Sequence, residues 1–208
     1  MKTKNKNNNK KIIAEKGCNI VKNVLRIFII GLVVAFSVNN FSKAEDSDIY
    51  KISMYTKYYV MYWSNHFSLT KIHDKTTGKF ILKKDIEDTM YKLYWHESQM
   101  KPESRSWEGT AGCFSYGLGR LMPQTAWELG WHFKSVKELY DVSKNIKYSV
   151  KYLCIQVKRY GSIKRGVSAY NAGHVEYTDN GSNYKNQGYV DAVYYGKRNV
   201  SVEEIVEQ

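Results

Sequence analysis

Apolar residues recur at three- and four-residue spacing along much of the chain, which is the spacing of one face of an α-helix. One such pattern predicts a helix over residues 85–99, with Asp85 as its N-cap. A strong pattern over residues 146–157 predicts a second helix, which Gly161 ends. Shorter helical patterns cover residues 125–129, 166–172 and 189–195, and a weak one follows Val136. The chain is therefore predicted to be mainly α.

The stretches on either side of the first predicted helix lack this spacing. Residues 45–84 are rich in aromatic side chains, and residues 74–79 have the composition of a turn between two short apolar runs. We interpret this segment as a helix and a hairpin that pack against the main domain. Residues 103–120 are rich in glycine and serine and are interpreted as a loop.

The first 44 residues have the composition of a targeting segment. Eight Lys and Arg side chains precede an uncharged apolar run of twelve residues, 27–38, and the small residues Ser42 and Ala44 follow it. This run is shorter than the ~20 residues of a membrane-spanning helix. We therefore predict a secretory signal peptide cleaved after Ala44, with an uncleaved N-terminal membrane anchor as the alternative. Both place the working domain outside the cytoplasm, in the periplasm or cell envelope or in the medium.

The net charge of +12 is concentrated in that leader. Residues 1–44 hold nine Lys and Arg and one Glu, which is +8, whereas the other 164 residues hold 23 basic and 19 acidic side chains, which is +4. The remaining charge is compatible with an anionic polymer as a partner. No basic-aromatic module of a nucleic-acid-binding protein is visible, so nucleic acid is not a predicted partner.

The cysteines are compatible with an oxidising compartment. Cys18 lies in the leader, so cleavage leaves Cys113 and Cys154 as an even pair. A disulfide between them and two separate buried thiols are both open, because spacing alone does not fix the geometry of a pair. The five histidines are scattered without the spacing of metal ligands, and we predict no metal or other cofactor.

Three motifs follow one another in the centre of the chain. Glu97 lies in Trp-His-Glu-Ser, and Pro102 follows five residues later. Gly-Leu-Gly-Arg-Leu-Met-Pro-Gln-Thr-Ala covers residues 117–126, and Ala-Tyr-Asn-Ala-Gly covers residues 169–173. An acidic residue combined with a glycine-rich loop and an aromatic-amide box indicates a sugar-cleaving site. The motifs predict that one carboxyl group, that of Glu97, acts as both acid and base.

Further motifs complete a family resemblance. Asn145-Ile146, Tyr152-Leu153 and Tyr189-Val190-x-x-Val193 follow in order, and residues 85–195 as a whole resemble the soluble-type lytic transglycosylases. The resemblance implies a lysozyme-like helical domain related to goose-type lysozyme. It implies cleavage of the β-1,4 bond between N-acetylmuramic acid and N-acetylglucosamine in peptidoglycan, with a 1,6-anhydro product. The predicted domains are the leader (1–44), an aromatic-rich extension (45–84), the catalytic domain (85–200) and a C-terminal tail (201–208).

The resemblance makes Glu97 the catalytic acid and base. Ordinary glycosidases use two carboxyl groups, whereas this family uses one, which must first be neutral and then ionised. Glu97 is predicted near the C-terminal end of its helix. There the helix macrodipole disfavours a carboxylate and raises the pKa modestly.

The resemblance also assigns substrate-binding roles. Tyr170 resembles a tyrosine whose hydroxyl reaches the catalytic glutamate or the substrate across a cleft, and Asn171 adjoins it. Met122 matches a position that lines the sugar subsites. Ser106 and Ser115 are alternative matches to a serine in the cleft.

One residue departs from the family pattern. Arg120 stands where glutamine is usual. Its guanidinium could donate hydrogen bonds to the substrate or attract an anionic stem peptide or lactyl group. It could instead pair with Glu97 and lower the pKa of that carboxyl, which would weaken the acid. The second interpretation predicts that Arg120→Gln leaves activity unchanged or raises it.

Two other functions remain open from the sequence. A goose-type or phage-like muramidase would hydrolyse the same bond. A glycan-binding protein could have kept the fold with little or no catalysis, as part of an envelope-spanning secretion or assembly machine. The predicted partners are therefore peptidoglycan strands, the membrane if the leader is retained, and in the last case such a machine.

Overall fold

The computed structural model of the protein describes residues 44–196, and helices dominate this range. The predicted leader and tail lie almost wholly outside the described residues. Contacts divide the chain into two units, residues 1–47 and 48–208. The described elements, which all lie in the second unit except for the first four residues of α1, are α1 (Ala44–His66), a 3-10 turn (Leu69–Lys71), α2 (Lys83–Ser98), β1 (Arg105–Glu108), β2 (Cys113–Tyr116), α3 (Pro123–Glu128), a 3-10 helix (Val136–Tyr140), α4 (Val142–Tyr160), α5 (Ile163–Ala172) and α6 (Gln187–Tyr194).

The helices predicted from apolar spacing are present. α4 ends at Gly161, whose φ of 63° lies in the left-handed region that glycine adopts without steric cost. The N-cap assignment of Asp85 was wrong, because α2 begins earlier and Leu82 is its N-cap. Asp85 lies in the first turn, where its Oδ2 accepts a hydrogen bond of 3.1 Å from the Leu82 N–H.

α4 lies at the centre of the core. Its apolar face is fully buried against residues from α1, α2, α5 and α6. α5 approaches α4 closely at Gly166, where a Cβ would stand 2.6 Å from a methyl group of Val157. The buried core residues of these helices include Ile52, Val60, Trp63, Ile86, Met90, Leu93, Tyr94, Ile146, Val150, Leu153, Val157, Ile163, Val167 and Val193.

Residues 45–84 pack on this core as a helix followed by a tight turn. α1 is tied to α4 by the indole of Trp63, which donates to the Lys147 carbonyl at 3.1 Å. The predicted turn is present, closed by the Asp74 N–H donating to the Lys79 carbonyl. Asp74 also accepts from the Ile163 N–H at 2.8 Å, so the turn is fixed to the start of α5. None of the helices within residues 44–196 has the length and apolar character of a membrane span.

Residues 103–120 are not simply a loop, because they contain an antiparallel hairpin of β1 and β2. The partly buried side of β1 carries Ser106 and Glu108, and its other residues are exposed. Ser106 lies directly opposite Ser115. The strands have only four residues each, so helical spacing and glycine content gave no signal for them.

The structure has Cys113 and Cys154 as free thiols. Cys154 lies on the core face of α4 and is fully buried, whereas Cys113 in β2 is partly exposed. Burial raises the pKa of the Cys154 thiol to about 12.

Candidate active site

A cleft of about 570 Å³ lies between the end of α2, the hairpin with the loop after it, and the end of α5 with the loop that follows. Its walls carry three carboxylates from separate parts of the chain, those of Glu97, Glu108 and Glu176. Its lining residues include Glu97, Glu108, Thr110, Arg120, Met122, Thr125, Tyr152, Tyr170, Asn171, His174 and Glu176. The cleft therefore brings together residues from all three of the central sequence motifs.

Glu97 occupies the last turn of α2, as the sequence predicts. The helix ends at Ser98, and both its C-cap Gln99 and the next residue Met100 have positive φ, so the chain turns sharply towards the hairpin. The two residues therefore direct the backbone from the end of α2 into the opposite wall of the cleft. Glu97 keeps partial exposure on the cleft side.

The hydroxyl group that contacts the glutamate belongs to Tyr189 in α6. It donates a hydrogen bond of 2.6 Å to Oε1 of Glu97. The ring of Tyr189 meets the ring of His96 edge to face, with centroids 5.0 Å apart. The neighbouring residues His96 and Glu97 thus hold the same tyrosine through its ring and its hydroxyl.

Tyr170 lines the cleft but hydrogen-bonds elsewhere. Its buried hydroxyl donates to the Gly119 carbonyl at 2.7 Å. Of the two predicted partners of this hydroxyl, the glutamate and the substrate, the glutamate is not the one it hydrogen-bonds in the structure. Its ring packs against Tyr152, with centroids 5.0 Å apart.

The glycine-rich loop is held in place by Asn145, which is only 1% exposed. The amide of Asn145 accepts from the Gly119 N–H at 2.8 Å and donates to the carbonyls of Tyr116 and Leu139 at 3.0 and 2.9 Å. A Cβ on Gly119 would stand 2.8 Å from the Tyr170 hydroxyl and would also overlap Ser149. Only glycine therefore allows this close approach.

Burial raises the pKa of Glu97 from 4.5 to about 7. The hydrogen bond from Tyr189 and the positive charge of Arg120 lower it, and the negative charge of Glu108 raises it. The predicted direction agrees, but its main cause is desolvation in the cleft rather than the helix macrodipole. Near neutral pH the carboxyl is thus divided between acid and base forms, which suits a group that must act as both.

Arg120 does not form an ion pair with Glu97, although both line the cleft. Its effect on the pKa of Glu97 is smaller than the effect of burial. The interpretation that Arg120 keeps Glu97 ionised is therefore not supported, because burial raises the pKa of Glu97 more than Arg120 lowers it. Arg120 has a φ of 47°, a left-handed conformation that costs a non-glycine residue about 1 kcal/mol or more.

Glu108 is a second carboxylate on the cleft wall. The hydroxyl of Ser115, which is almost fully buried, donates to Oε1 of Glu108 at 2.6 Å. Neither Ser115 nor Ser106 is among the residues that line the cleft. Ser115 is placed to orient Glu108 rather than to touch a ligand in the cleft.

The remaining predicted residues lie on the cleft walls. Met122 precedes α3 and is partly buried. Asn171 is exposed at the end of α5, where its side-chain oxygen accepts from Asn186 at 3.0 Å. Both are placed to contact a ligand in the cleft. Within residues 44–196 there is no group of three His, Cys, Asp or Glu side chains that could hold a metal ion.

Sequence reasoning gave no individual role to Tyr189, Asn145 or Glu108. Tyr189 and Asn145 do occur in the motifs, but the motifs do not show which groups these side chains contact. Glu108 had no motif signal. The alternation of apolar and polar residues would not have found it, because in β1 the apolar Trp107 is exposed while Ser106 and Glu108 are partly buried.

Comparison with known proteins gives one family and a set of structures. The family described as Transglycosylase SLT domain matches residues 82–192. Among solved structures, the chain is similar to "Bd0314 DslA wild-type form 2", with 16% identity, a TM-score of 0.47, and coverage of 77% of this chain and 93% of that chain. A Glu-to-Gln mutant of the same protein has 18% identity and a TM-score of 0.43, with 59% and 73% covered. No curated protein matches the chain significantly.

Proposed function

The chain belongs to the transglycosylase SLT domain family, and on that premise we propose that it cleaves the bond between N-acetylmuramic acid and N-acetylglucosamine, with Glu97 as acid and base. Family membership supports a lytic transglycosylase-like enzyme that acts on peptidoglycan outside the cytoplasm. The finer proposal rests on one observation. A partly buried carboxyl group with a pKa raised to about 7 lies in a cleft that residues from three parts of the fold line.

The first step needs a neutral carboxyl group. Glu97 protonates the glycosidic oxygen, the bond to the anomeric carbon breaks, and the N-acetylglucosamine side leaves as an alcohol. Because burial raises its pKa to about 7, a substantial fraction of Glu97 carries its proton at neutral pH. The hydroxyl of Tyr189 fixes Oε1, so the other carboxyl oxygen is free to carry the proton towards the substrate.

The second step needs the carboxylate that the first step leaves. Glu97 accepts the proton of the C6 hydroxyl of the same N-acetylmuramic acid, and that oxygen bonds to the anomeric carbon. The product is a 1,6-anhydro ring, no water is consumed, and Glu97 has its proton again. The family resemblance implies that the substrate's own N-acetyl group stabilises the intermediate, so a second carboxylate is not required.

A second candidate function is hydrolysis of the same bond, and Glu108 is the observation that favours it. A second carboxylate on the wall of the same cleft is what a water-activating base requires. The hydrogen bond from Ser115 orients Glu108. In a muramidase, Glu108 would take a proton from water as Glu97 protonates the leaving oxygen.

Digestion of purified peptidoglycan, read by mass spectrometry, separates the two functions. Anhydro ends are lighter than hydrolysed reducing ends by one water. We expect anhydro products from the wild type and from Glu108→Gln, and no fragments from Glu97→Gln. Reducing ends from the wild type that disappear in Glu108→Gln would instead establish hydrolysis. Sedimentation with peptidoglycan, without fragments from any of the three proteins, would indicate a binding protein.

The leader is part of the proposal as well. We infer that residues 1–44 export the domain, as a cleaved signal peptide or as an anchor, because peptidoglycan lies outside the cytoplasm. N-terminal sequencing of the protein recovered from cell fractions tests this. A mature N-terminus at residue 45 indicates cleavage after Ala44, and an intact chain in the membrane fraction indicates an anchor.

A further inference from the structure

Arg120 has a buried polar atom that the protein itself does not satisfy. Among the described residues, its Nε is buried without a hydrogen-bond partner. A buried donor left unpaired costs free energy, and so does the left-handed backbone at φ 47°. Because Arg120 also lines the cleft, a ligand there can meet its guanidinium and supply the charge partner that the protein lacks.

The carboxylates around the cleft already have other hydrogen-bond donors. Glu97 accepts from Tyr189 at 2.6 Å, and Glu108 accepts from Ser115 at 2.6 Å. Glu176, on the opposite side, is paired with two basic side chains, those of His174 and Lys185, at 2.6 and 3.2 Å. Within the part of the chain that the structure describes, Arg120 has no ion-pair partner. Its positive charge is therefore available to a ligand.

We propose that Arg120 binds a carboxylate of the glycan substrate and makes the enzyme selective for strands that carry one. The inference rests on the proposed function, because it concerns the same cleft. A guanidinium matches a carboxylate with two parallel hydrogen bonds, which a glutamine side chain cannot supply. Arg120 is thus a specificity residue at a position where the related enzymes usually have glutamine.

Peptidoglycan offers this chemistry from two sources. In a strand without peptides, the lactyl group of each muramic acid ends in a free carboxylate. In a peptide-bearing strand, that group is an amide, and the carboxylates lie further out on the stem peptide. Both sources present a carboxylate to Arg120, at different distances from the scissile bond. Substrates that carry only one of the two therefore distinguish them.

Binding of a carboxylate at Arg120 also affects the acid. Glu97 faces Tyr189 from α6, Arg120 from the loop, Glu108 from β1 and Tyr170 from α5. Of these, Tyr189 and Arg120 lower the pKa of Glu97. An anion bound to Arg120 offsets its charge, so the pKa of Glu97 rises and the carboxyl keeps its proton to higher pH. Substrate selection and retention of the catalytic proton are thereby coupled.

The test compares three substrates with the same sugar chain. They are peptide-free strands with free lactyl carboxylates, the same strands with those carboxylates converted to neutral methylamides, and peptide-bearing strands. The full chain is compared with Arg120→Gln, which removes the charge, and Arg120→Lys, which keeps the charge without the planar pair of donors. Circular dichroism and thermal unfolding confirm that each variant is folded.

We expect the wild type to prefer one carboxylate-bearing strand over the methylamide strand by about tenfold or more in kcat/KM. Arg120→Gln should reduce this ratio to near one, and Arg120→Lys should give an intermediate ratio. The strand that is preferred identifies the source of the carboxylate. The kcat profile reports the pKa of Glu97 in the enzyme–substrate complex. Its basic limb should lie at higher pH for that strand than for the methylamide strand, and Arg120→Gln should remove the difference.

An equal ratio in the wild type and in Arg120→Gln would overturn the inference while leaving the proposed function intact. Failure of the wild type to cleave any strand would overturn the proposed function instead. In that case the affinities of Glu97→Gln and of Glu97→Gln with Arg120→Gln for the three strands decide the inference. A preference for a carboxylate that the second substitution abolishes supports it, and equal or undetectable binding refutes it.

Discussion

The hydroxyl of Tyr189 lies 2.6 Å from Oε1 of Glu97 and donates a hydrogen bond to it. The contact joins the last turn of α2 to α6 across 92 positions of sequence. Because the tyrosine donates to the ionised form most strongly, it lowers the pKa that burial raises. Tyr189 thus orients the carboxyl group of Glu97 and limits how far burial raises its pKa.

Tyr189→Phe should raise the pKa of Glu97 and reduce the rate. Removing the hydrogen bond removes an effect that lowers the pKa, so the basic limb of the kcat/KM profile should move to higher pH. The maximal rate should fall by roughly tenfold, because the carboxyl loses the group that orients it. Tyr170→Phe is the matched control, since its hydroxyl binds the Gly119 carbonyl instead. A basic limb that moves down in Tyr189→Phe, or equally in both variants, would contradict this role.

Glu97→Gln should stabilise the protein above neutral pH and have little effect in acid. Below pH 4.5 the carboxyl is protonated in both folded and unfolded chains. Between 4.5 and about 7 the unfolded chain releases the proton and the folded protein keeps it, so stability falls as pH rises. The full penalty, roughly 3 kcal/mol, applies above pH 7 and is absent from the glutamine variant.

Urea unfolding at pH 4 and pH 8 measures this difference. The gain in free energy of unfolding for Glu97→Gln should be near zero at pH 4 and largest at pH 8. Glu103→Gln serves as the control, because Glu103 is exposed in the turn after α2, and its substitution should change stability by less than about 0.5 kcal/mol. A gain that is the same at both pH values would show that the pKa of Glu97 is not raised.

The helices could be predicted because their signals are local. The apolar face of α4 and its glycine C-cap are contained in one segment, so spacing alone located them. The hairpin could not be predicted in the same way. Its strands are only four residues long, and they are held by pairing across the hairpin, where Ser106 lies opposite Ser115 and the rings of Trp107 and Phe114 pack edge to face.

The site was predicted at the level of motifs and missed at the level of contacts. The motifs placed Glu97, Tyr170 and Met122 in one cleft, which the structure also does. They did not reveal that Tyr189 rather than Tyr170 contacts the glutamate, because both tyrosines come from short helices late in the chain. The choice depends on how α5 and α6 pack against α2, which is a property of the whole domain.

Cys113 and Cys154 should behave as two different free thiols. In the chain with Cys18→Ser, a thiol reagent at pH 8 should modify Cys113 readily, because it is partly exposed. Cys154 should react only after unfolding, since it is buried and its pKa is raised to about 12. Mass spectrometry of the labelled native and unfolded protein measures both. Absence of any labelling without a reducing agent would instead indicate a disulfide.

Gly119→Ala should destabilise the protein by about 1–3 kcal/mol, because the added Cβ overlaps Ser149 and the hydroxyl of Tyr170. Gly188→Ala is the matched control, since α6 has no heavy atom within 4 Å of a Cβ at that position. The control should gain up to about 0.5 kcal/mol, because alanine has the higher helix propensity but Gly188 lies in the first turn of α6. Urea unfolding of both variants measures these opposite changes. Equal stability of the two would show that Gly119 does not fix the loop against Tyr170.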